Sequence, residues 1–482
     1  MTLAITIFLI VVDVIIRIGA LIIVPRKRRP TSAAAWLLLI LFLPYIGLAL
    51  FLLIGSPRLP RGRREKQQEI NQFILDTTEG TDRVNRTAAW PGWLESVVEL
   101  NRTLGSMPLV GGNRAQLLAD YRSSIESMTE EVGRATRYVH VQFYILSLDT
   151  TTQPFFDALE AAVKRGVTVR VLLDHIASRQ YPKYRQTIKW LKRSGVLWEL
   201  LLPIQPLRGK YQRPDLRNHR KVLVVDGRIG YMGSQNMIDR SYLRWINRRR
   251  HLRWQDMMVR LQGPIVAGIN AIFITDWYGE TGQLLVRETE PMADDIDENL
   301  LDCQVVPSGP GFAGENNLRL FNALLYYAQE RIVITSPYFV PDESMLYAVT
   351  TAVQRGVHVE LFVSEIADQI LVANAQRSYY SQLLEAGVVI WMYQKPVVLH
   401  AKHFTIDDDV AVIGSSNMDM RSFSLNMEVS LMVRGPSFVT QLRAAEERNR
   451  KQSRQLTLEE WRRRPGVVSV VENLARLTSS LQ

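Results

Sequence analysis

The chain has 482 residues, with 58 lysines and arginines against 48 aspartates and glutamates, which gives a formal net charge of +10. This length gives room for two or three domains with complete cores, and the positive charge favours anionic partners such as phospholipid headgroups or nucleic acid. The single cysteine, Cys303, excludes an intrachain disulfide and a cysteine-based zinc cluster.

Two apolar runs open the chain, at residues 3–24 and 33–54, and each is long enough to cross a bilayer as a helix. The first run contains Asp13 and Arg17, which we expect to pair on one helix face. These interior charges, and the lack of a small-residue cleavage site, argue against a cleaved signal peptide. Residues 1–56 are therefore predicted to form two membrane segments.

Basic clusters follow both runs, at residues 26–29 and 58–64, and the positive-inside rule draws both toward the cytoplasm. Two arrangements remain open. Either one cluster lies outside, or the runs form a shallow hairpin kinked at Pro44 with both ends on one side. We expect a multi-pass protein of the cell membrane whose globular part faces the cytoplasm, with a surface-exposed globular part as the alternative.

Residues 57–115 are interpreted as a linker and interfacial region. Residues 56–68 have the composition of a polar linker. The stretch around Trp90 and Trp93 suits either a membrane interface or an ordinary hydrophobic core.

The middle of the chain carries an internal duplication. The stretch AVKRGVTVRVL at 162–172 returns as AVQRGVHVELF at 352–362, and each copy runs from a predicted helix through a glycine into a predicted strand. We therefore predict an α/β fold of two halves, residues 116–285 and 300–455, related by a pseudo-twofold axis. Strands that alternate with helices favour a mostly parallel sheet in each half, flanked by helices. Residues 456–482 are a C-terminal tail, and its amphipathic part, residues 467–481, is predicted to pack on the globular part.

A second repeated pattern carries the chemistry. Each half contains H-x-K, four residues, D, six residues, G-S-x-N, and then a carboxylate. These residues are His219, Lys221, Asp226, Ser234, Asn236 and Asp256 in the first half, and His400, Lys402, Asp407, Ser415, Asn417 and Glu428 in the second. We expect each copy to form a β-hairpin in which the histidine and the lysine share a face and the aspartate fixes the turn. The histidine, the lysine and the aspartate of each copy are the candidate catalytic residues, and the serine, the asparagine and the later carboxylate are the candidates to bind or orient the substrate. The two hairpins should meet at the pseudo-twofold axis.

Two histidines and two lysines that converge with carboxylates suit phosphodiester chemistry. One imidazole attacks phosphorus to form a phosphohistidine, while the other protonates the leaving alcohol and then deprotonates the incoming one. The lysines, and the serine and asparagine of each G-S-x-N, are candidates to neutralise or hydrogen-bond the nonbridging oxygens. Asp256 and Glu428 are candidates to fix the imidazole tautomers.

The paired motifs resemble those of the phospholipase D superfamily. The N-terminal apolar pair, VHVQFYI at 139–145, NHRKVLVVDG at 218–227 and EEWRRRP at 459–465 resemble the bacterial cardiolipin synthases within it. The resemblance implies a bilobed α/β fold with one shared active site and a mechanism without a metal or other cofactor. It also implies a bacterial cytoplasmic membrane enzyme that condenses two phosphatidylglycerols into cardiolipin and glycerol.

Carried over to this sequence, the resemblance makes His219 the nucleophile and His400 the acid and base, although the near symmetry of the motifs leaves the reverse assignment open. A phospholipase D-type hydrolase or another phosphatidyltransferase is the alternative function, because nothing in the motifs excludes water as the acceptor. A non-catalytic membrane scaffold is a third hypothesis, disfavoured by two intact motifs. The membrane segments argue against a nuclease, so no nucleic acid partner is expected.

The first half is longer than the second on both sides of its motif, and we expect substrate specificity in these insertions. One insertion contains a run of arginines and aromatic residues at 240–253. This run suits docking on anionic lipid, binding of single-stranded nucleic acid, or a solvated helix face.

Overall fold

The computed structural model describes seven stretches of the chain. These are residues 2–26, 28–55, 59–77, 91–205, 212–285, 300–312 and 314–478. The chain divides into two compact units. The first consists of Met1–Arg58 with Gln212–Leu216, and the second of Leu59–Tyr211 with Arg217–Gln482.

The first unit contains α1 (Thr2–Ile23), which is the one described helix that is long and apolar enough to cross a bilayer. Most of its side chains are exposed, as expected for a helix that lipid surrounds. Arg17 donates to Asp13 at 2.7 Å, which confirms the predicted pair. Because the two residues are one turn apart, the pair keeps both charges on a single stripe of the helix.

The second apolar run forms two helices, α2 (Pro30–Phe42) and α3 (Pro44–Ile54). They meet at Leu43, which has φ −131° and ψ 71°. Proline lacks an amide hydrogen and disfavours the helical conformation in the residue before it, so Pro44 interrupts the helix. At about 1.5 Å per residue, neither piece alone spans a hydrocarbon layer of roughly 30 Å. In place of two long helices, the structure therefore has one long helix followed by two shorter ones. The break between the shorter helices is at Pro44, where the hairpin alternative predicted a kink.

The second unit is built on a 15-stranded sheet, with two short strand pairs beside it, among the described residues. The strands are β1 (Leu109–Leu118), β2 (Tyr138–Phe143), β3 (Thr168–Asp174), β4 (Leu197–Leu201), β5 (Lys221–Val225), β6 (Ile229–Gly233), β7 (Arg253–Gln255), β8 (Met258–Gln262), β9 (Leu301–Ser308), β10 (Arg331–Thr335), β11 (Phe339–Val340), β12 (His358–Ser364), β13 (Val389–Tyr393), β14 (Val397–Leu399), β15 (His403–Ile406), β16 (Val410–Gly414), β17 (Met418–Asp419), β18 (Glu428–Arg434) and β19 (Ser453–Leu456).

Helices cover both faces of this sheet. They are α4 (Arg61–Thr77), α5 (Gly92–Gly105), α6 (Tyr121–Arg134), α7 (Gln153–Lys164), α8 (His175–Arg179), α9 (Tyr184–Leu191), α10 (Trp245–Arg249), α11 (Ile265–Thr281), α12 (Asn316–Tyr327), α13 (Glu343–Gln354), α14 (Ile370–Ser378), α15 (Tyr380–Ala386), α16 (Met420–Ser424), α17 (Pro436–Lys451), α18 (Leu458–Arg462) and α19 (Gly466–Arg476). The buried apolar residues between the layers form the main cores.

Apart from the additional edge strand β19, the strand order is symmetric about the central pair of β1 and β9. It runs β19-β13-β12-β10-β15-β16-β18-β9-β1-β8-β6-β5-β2-β3-β4. In each half three parallel strands, β4-β3-β2 or β13-β12-β10, are followed by antiparallel ones. The two halves predicted from the duplication are thus present, and the antiparallel pairing of β1 with β9 makes them one continuous sheet.

The prediction of a mostly parallel sheet in each half is wrong, because only the strands that a helical segment connects are parallel. The motif strands β5 and β6, and likewise β15 and β16, are joined by short turns and so pair antiparallel. Each hairpin then pairs with β8 or β18, again antiparallel. The sheet is therefore mixed.

The region expected to be a linker is largely helical and packs on the second unit. Helix α4 buries Ile70 and Ile74, and its Lys66 ammonium lies 4.8 Å from the ring centre of Tyr278 on α11. Trp93 on α5 stacks on Tyr327 at 5.2 Å, whereas Trp90 is outside the described residues. Strand β1 begins before the predicted boundary of the first half and lies at the centre of the sheet.

The C-terminal helix α19 packs on the globular part, as predicted for the tail. Its Glu472 is buried and accepts from Arg464 at 2.7 Å, and Ala475 contacts the core of the second half. Its remaining apolar side chains are exposed, among them Val467 and Leu474. The helix therefore buries one face and leaves a second apolar face uncovered.

Candidate active site

Both motifs form the predicted hairpins. Strands β5 and β6 pair with Val222 opposite Met232, and Asp226 and Gly227 form the turn with φ values of 54° and 71°. Both positive values are typical of the tight turn that Asp-Gly favours. The strands β15 and β16 pair in the same antiparallel way, and in their turn Asp407 has φ 48°.

The motif aspartates fix these turns and lie at the strand ends remote from the histidines. Asp226 accepts hydrogen bonds from the backbone amides of Thr136, Arg137 and Tyr138 at 2.8–2.9 Å. Asp407 accepts from the equivalent amides, which include that of Arg331 at 2.9 Å. Their inclusion among the candidate catalytic residues is therefore corrected, because each aspartate orders the loop before β2 or β10 and does not reach the imidazoles.

His219 contacts a carboxylate from the other half. Its Nδ1 atom lies 3.0 Å from both carboxylate oxygens of Glu428, the first residue of β18. His219 is 8% exposed and Glu428 is fully buried. An Nδ1–H donated to this carboxylate leaves Nε2 with a lone pair for chemistry.

His400 makes the reciprocal contact. Its Nδ1 atom lies 2.7 Å from Oδ1 of Asp256, which follows β7 in the first half. Asp256 is fully buried, and His400 is 7% exposed. Each half thus supplies an imidazole and the carboxylate that orients the imidazole of the opposite half.

Backbone pairing holds the two motifs against each other. The His219 amide donates to Met427 O at 2.8 Å, and the His400 amide donates to Gln255 O at 2.7 Å. Strand β14, which leads to His400, pairs in parallel with β7 of the first half. The carbonyl acceptors directly precede Glu428 and Asp256, so the pairing that joins the halves also sets the position of each carboxylate.

The glycine and serine of each G-S-x-N support the carboxylates. A Cβ atom on Gly233 would lie 2.3 Å from Met257 O, and one on Gly414 would lie 2.4 Å from Val429 O, so only glycine permits this approach. The Ser415 hydroxyl donates to Glu428 at 2.5 Å. The Ser234 hydroxyl contacts the Met257 backbone at 3.0–3.3 Å. Both serines are fully buried in this supporting position.

The two asparagines differ in their surroundings. The Asn236 amide donates to the hydroxyl of Tyr242 at 2.9 Å, and its oxygen accepts from the Ile145 backbone at 3.2 Å. The side-chain oxygen of Asn417 is buried without a hydrogen-bond partner. Asn236 therefore acts within the wall of the site, whereas Asn417 retains an unused acceptor.

Both lysines lie beside the imidazoles, as the shared face predicted. Lys221 donates to His219 O at 2.5 Å, and Lys402 lies 2.6 Å from His400 O and 3.2 Å from His400 Nε2. Lys221 is fully buried and Lys402 is 3% exposed. Burial lowers the pKa of Lys402 to about 8 and the pKa of Lys221 well below its usual value. An entering anion would restore the charged form of both.

Both imidazoles have lowered pKa values. Burial lowers the pKa of His219 well below its usual value, and the charges of Lys221 and Lys402 lower it further. Burial also lowers the pKa of His400, although the Asp256 carboxylate opposes this change. Since His400 contributes to the shift of His219, the two titrations are linked.

The two carboxylates are inequivalent. Burial raises the pKa of Glu428 to about 7, although Lys221 and the Ser415 hydroxyl favour its ionised form. Burial also opposes ionisation of Asp256, but the charge and hydrogen bond of His400 hold its pKa below the usual value. His400 therefore has an ionised partner over a wider pH range than His219.

Several residues at the site were not among the sequence candidates. The ring of Tyr144 lies edge-on to His219 at 4.6 Å. Arg220 is 1% exposed and donates to Asp276 at 2.8 Å and to the Glu428 backbone oxygen at 3.0 Å. The sequence feature that could have identified Arg220 is the difference between the motifs: the residue between the histidine and the lysine is an arginine in the first motif and Ala401 in the second.

The arrangement provides two imidazoles whose Nε2 atoms are not engaged by a carboxylate, beside two cationic side chains in a nearly closed site. These groups can attack phosphorus, protonate a leaving oxygen and neutralise the nonbridging oxygens of a tetrahedral phosphate. Within the described residues, no group of three His, Cys, Asp or Glu side chains has the arrangement of a metal site.

Comparison with known proteins identifies similar chains. The family described as "Cardiolipin synthase, PLD-like domain" matches residues 128–277 and 322–449, and "Phospholipase_D-nuclease N-terminal" matches residues 5–56. Cardiolipin synthase A of Proteus mirabilis (strain HI4320) is 31% identical over 462 residues, which are 94% of each chain. Cardiolipin synthase A of Wigglesworthia glossinidia brevipalpis is 32% identical over 95% of this chain and 92% of its own length.

A solved structure shares the fold. The phosphatidylserine synthase of Haemophilus influenzae Rd KW20 superposes with a TM-score of 0.57 at 15% sequence identity, covering 80% of this chain and 99% of its own. At this level of identity the likeness concerns the fold alone.

Proposed function

The chain belongs to the family of cardiolipin synthases with phospholipase D-like domains, and on this premise we propose that it transfers a phosphatidyl group from one phosphatidylglycerol to another, giving cardiolipin and glycerol. One observation carries the proposal at the site: the imidazole of each half is held through Nδ1 by a buried carboxylate of the other half. Such a shared pair suits a two-step transfer, in which one imidazole holds the group and the other moves the protons.

We assign His219 as the nucleophile and His400 as the acid and base. His219 is kept neutral by burial and by neighbouring cations, as a nucleophilic nitrogen requires, because these effects lower its pKa. The ionised Asp256 carboxylate at 2.7 Å favours a proton on His400, and the negative charge of a bound phosphate diester favours it further. The reverse assignment would place the proton beside Glu428, the less readily ionised carboxylate.

In the first step, Nε2 of His219 attacks phosphorus while His400 gives its proton to the leaving glycerol oxygen. A phosphatidyl group is then bonded to His219, and His400 is neutral. In the second step, His400 removes the proton from a glycerol hydroxyl of the second phosphatidylglycerol, whose oxygen attacks phosphorus and releases His219. The protonation states return to those at the start, so the cycle needs no other reactant.

Lys221 and Lys402 are proposed to neutralise the nonbridging oxygens, and the side-chain NH2 group of Asn417 is proposed to donate a hydrogen bond to one of them. Ser234 and Ser415 are proposed to act through the carboxylates, because their hydroxyls already contact Met257 and Glu428. We retain Asn236 as a positioning residue, since its amide supports Tyr242.

We propose that residues 1–56 anchor the chain in the cytoplasmic membrane of a bacterium, with the catalytic unit facing the cytoplasm. The basic residues at 58–64, which come directly before the catalytic unit in the sequence, support this orientation. A multi-pass arrangement requires the kinked pair of α2 and α3 to cross the bilayer as one unit. Accessibility of cysteines placed near residues 28 and 60 to an impermeant reagent in intact cells tests both points.

Product analysis of the purified full chain tests the reaction. Given only phosphatidylglycerol in bilayers, the protein should release glycerol and accumulate cardiolipin, with His219→Ala protein as the matched blank. Phosphatidic acid as the main product would instead make the protein a hydrolase. A strict requirement for a CDP-activated lipid would overturn the proposed donor.

A further inference from the structure

The wall of the site near His400 leads directly to the protein surface. The rings of Tyr242 and Tyr338 both lie 6.5 Å from the His400 ring. Tyr242 also contacts Tyr181, at a ring separation of 5.5 Å, and the Tyr338 hydroxyl donates to Asp368 at 2.7 Å. These wall residues come from both halves; Tyr242 comes shortly before α10, and Asp368 comes shortly before α14.

In the first half, this element is α10. Tyr242 is 4% exposed, whereas Trp245 is 70% exposed and Ile246 is 53% exposed. The guanidinium of Arg249 lies 5.3 Å from the ring centre of Trp245. A large aromatic side chain beside an aliphatic one and a cation, all facing solvent, has the composition of an interfacial membrane contact.

In the second half, α14 begins two residues after Asp368. Its first residues, Ile370 and Leu371, are 81% and 51% exposed. Ile366, just before them, packs with Tyr181 and Tyr242 in one apolar cluster. The exposed apolar residues of the two halves are therefore joined through a common buried cluster beside the site.

Two stretches of chain beside this cluster carry basic and no acidic residues. The sequence has no aspartate or glutamate from Arg240 to Gln255, nor from 175 to 198. The second of these stretches lines an open cavity of about 640 Å³. Its lining residues are Arg179, Tyr181, Lys183, Tyr184, Arg185 and Gln186. The guanidinium of Arg244 lies 4.6 Å from the ring centre of Tyr181, so the cavity and α10 are contiguous.

We propose that α10, the start of α14 and this cavity form a docking rim that binds the surface of an anionic phospholipid bilayer. Trp245, Ile246, Ile370 and Leu371 enter the boundary between headgroups and acyl chains, and the arginines and lysines contact the headgroup phosphates. Docking through this rim places the bilayer beside His400, so that a lipid phosphate reaches the imidazoles without leaving the membrane.

The composition of the rim selects a bilayer over other occupants. A single-stranded nucleic acid would use the cations and aromatic faces but would leave Ile246, Ile370 and Leu371 without an apolar partner. A second copy of the chain would bring like charges together. An anionic bilayer satisfies both the apolar and the cationic residues.

A fluorescent reporter on the full chain tests the docking rim. The protein is placed in lipid nanodiscs of phosphatidylglycerol with phosphatidylcholine, or of phosphatidylcholine alone, and Trp245→Cys carries an environment-sensitive dye. Cys303 is fully buried and burial raises the pKa of its thiol, so unsubstituted protein serves as the labelling blank. Leu197→Cys is the matched control. Leu197 is 49% exposed and lies at the start of β4, whereas the opposite end of this strand, at Leu201, pairs with Asp174 near the motif. The control position is therefore at the end of β4 remote from the site.

The bilayers contain lipids that carry a quencher near the headgroup. We expect these lipids to quench the dye at position 245 at least about twofold more than the dye at position 197, because interfacial side chains lie about 5–10 Å into the boundary region. Adding Arg249→Gln should lower the ratio of docked to undocked protein about fivefold in phosphatidylglycerol discs. In discs of phosphatidylcholine alone, Arg249→Gln should change the ratio of docked to undocked protein little.

Equal quenching at the two positions would overturn the proposal. A dye response at 245 to a single-stranded oligonucleotide, or cross-links between two copies through position 245, would assign the rim to those occupants instead. The choice of lipid rests on the proposed function, but the quenching measurement does not require the enzyme to turn over its substrate. Repeating it with His219→Ala protein therefore separates failure of docking from failure of the proposed reaction.

Discussion

His219 and Glu428 come from different halves of the chain, and Nδ1 of the histidine lies 3.0 Å from both oxygens of the glutamate. His400 and Asp256 form the reciprocal pair at 2.7 Å. The site is therefore shared at the level of each imidazole, and neither half contains an oriented histidine by itself.

Replacing Glu428 with Gln should impair the first half's histidine although the substitution is in the second half. An amide cannot accept the Nδ1–H as strongly as a carboxylate, so we expect turnover of phosphatidylglycerol to fall by roughly 10³-fold. Asp256→Asn is the matched variant and should impair His400. Trapping of the phosphatidylated enzyme at short times checks both variants, since the attack by His219 and the protonation by His400 belong to the same step and each variant should slow it. Normal turnover in both variants would contradict the crossed pairs.

The pH profile should have an acid limb set by Glu428. Burial raises the pKa of this carboxyl to about 7, so it takes up a proton as the pH falls through that value and no longer accepts from His219 as a carboxylate. We expect kcat/KM to decline below about pH 7, and the limb to disappear in Glu428→Gln protein with its lower plateau. An unchanged acid limb in that variant would assign it to another group.

Asp226 should matter for stability and not for chemistry. Replacing it with Asn weakens hydrogen bonds to the amides of Thr136, Arg137 and Tyr138, and we expect the free energy of unfolding to fall by about 1–3 kcal/mol. Folded Asp226→Asn protein should keep its turnover number, measured well below its thermal midpoint. A large loss of turnover at unchanged stability would return Asp226 to the catalytic residues.

Single replacements of His219 and His400 with Ala should each lower turnover by roughly 10⁴-fold or more, because nucleophile and acid act as a unit. The double variant should be little worse than either single one. Circular dichroism of each variant checks that the fold is retained. Losses that multiply in the double variant would mean that the two imidazoles work in separate sites.

Treatment with a chelator should leave activity intact at constant lipid composition, because Lys221 and Lys402 supply positive charge beside both imidazoles. Replacing either lysine with Met should lower turnover by roughly 10²–10³-fold, as loss of a transition-state charge does. Loss of activity in chelator that one divalent cation restores would reject this prediction.

The sequence by itself determined the elements and the repeat. Two apolar runs joined by the Asp226-Gly227 turn identify a hairpin, and a hairpin places His219 and Lys221 on one face because strand side chains alternate with a period of two. The pattern AVKRGVTVRVL predicted a helix, a glycine and a strand, which are present as α7 and β3. These are local properties of the chain, and the repetition of the same spacing in the two copies allowed them to be predicted from the sequence.

Only the tertiary structure decided which strands are neighbours and which carboxylate meets which imidazole. Asp256 is far from His400 in sequence, and no spacing rule shows that it orients His400 and not His219. That choice follows from the pairing of β7 with β14 and of β1 with β9, which are contacts between the halves. The break at Pro44 and the exposure of Trp245 beside buried Tyr242 are likewise results of chain geometry and packing, which apolar composition does not specify.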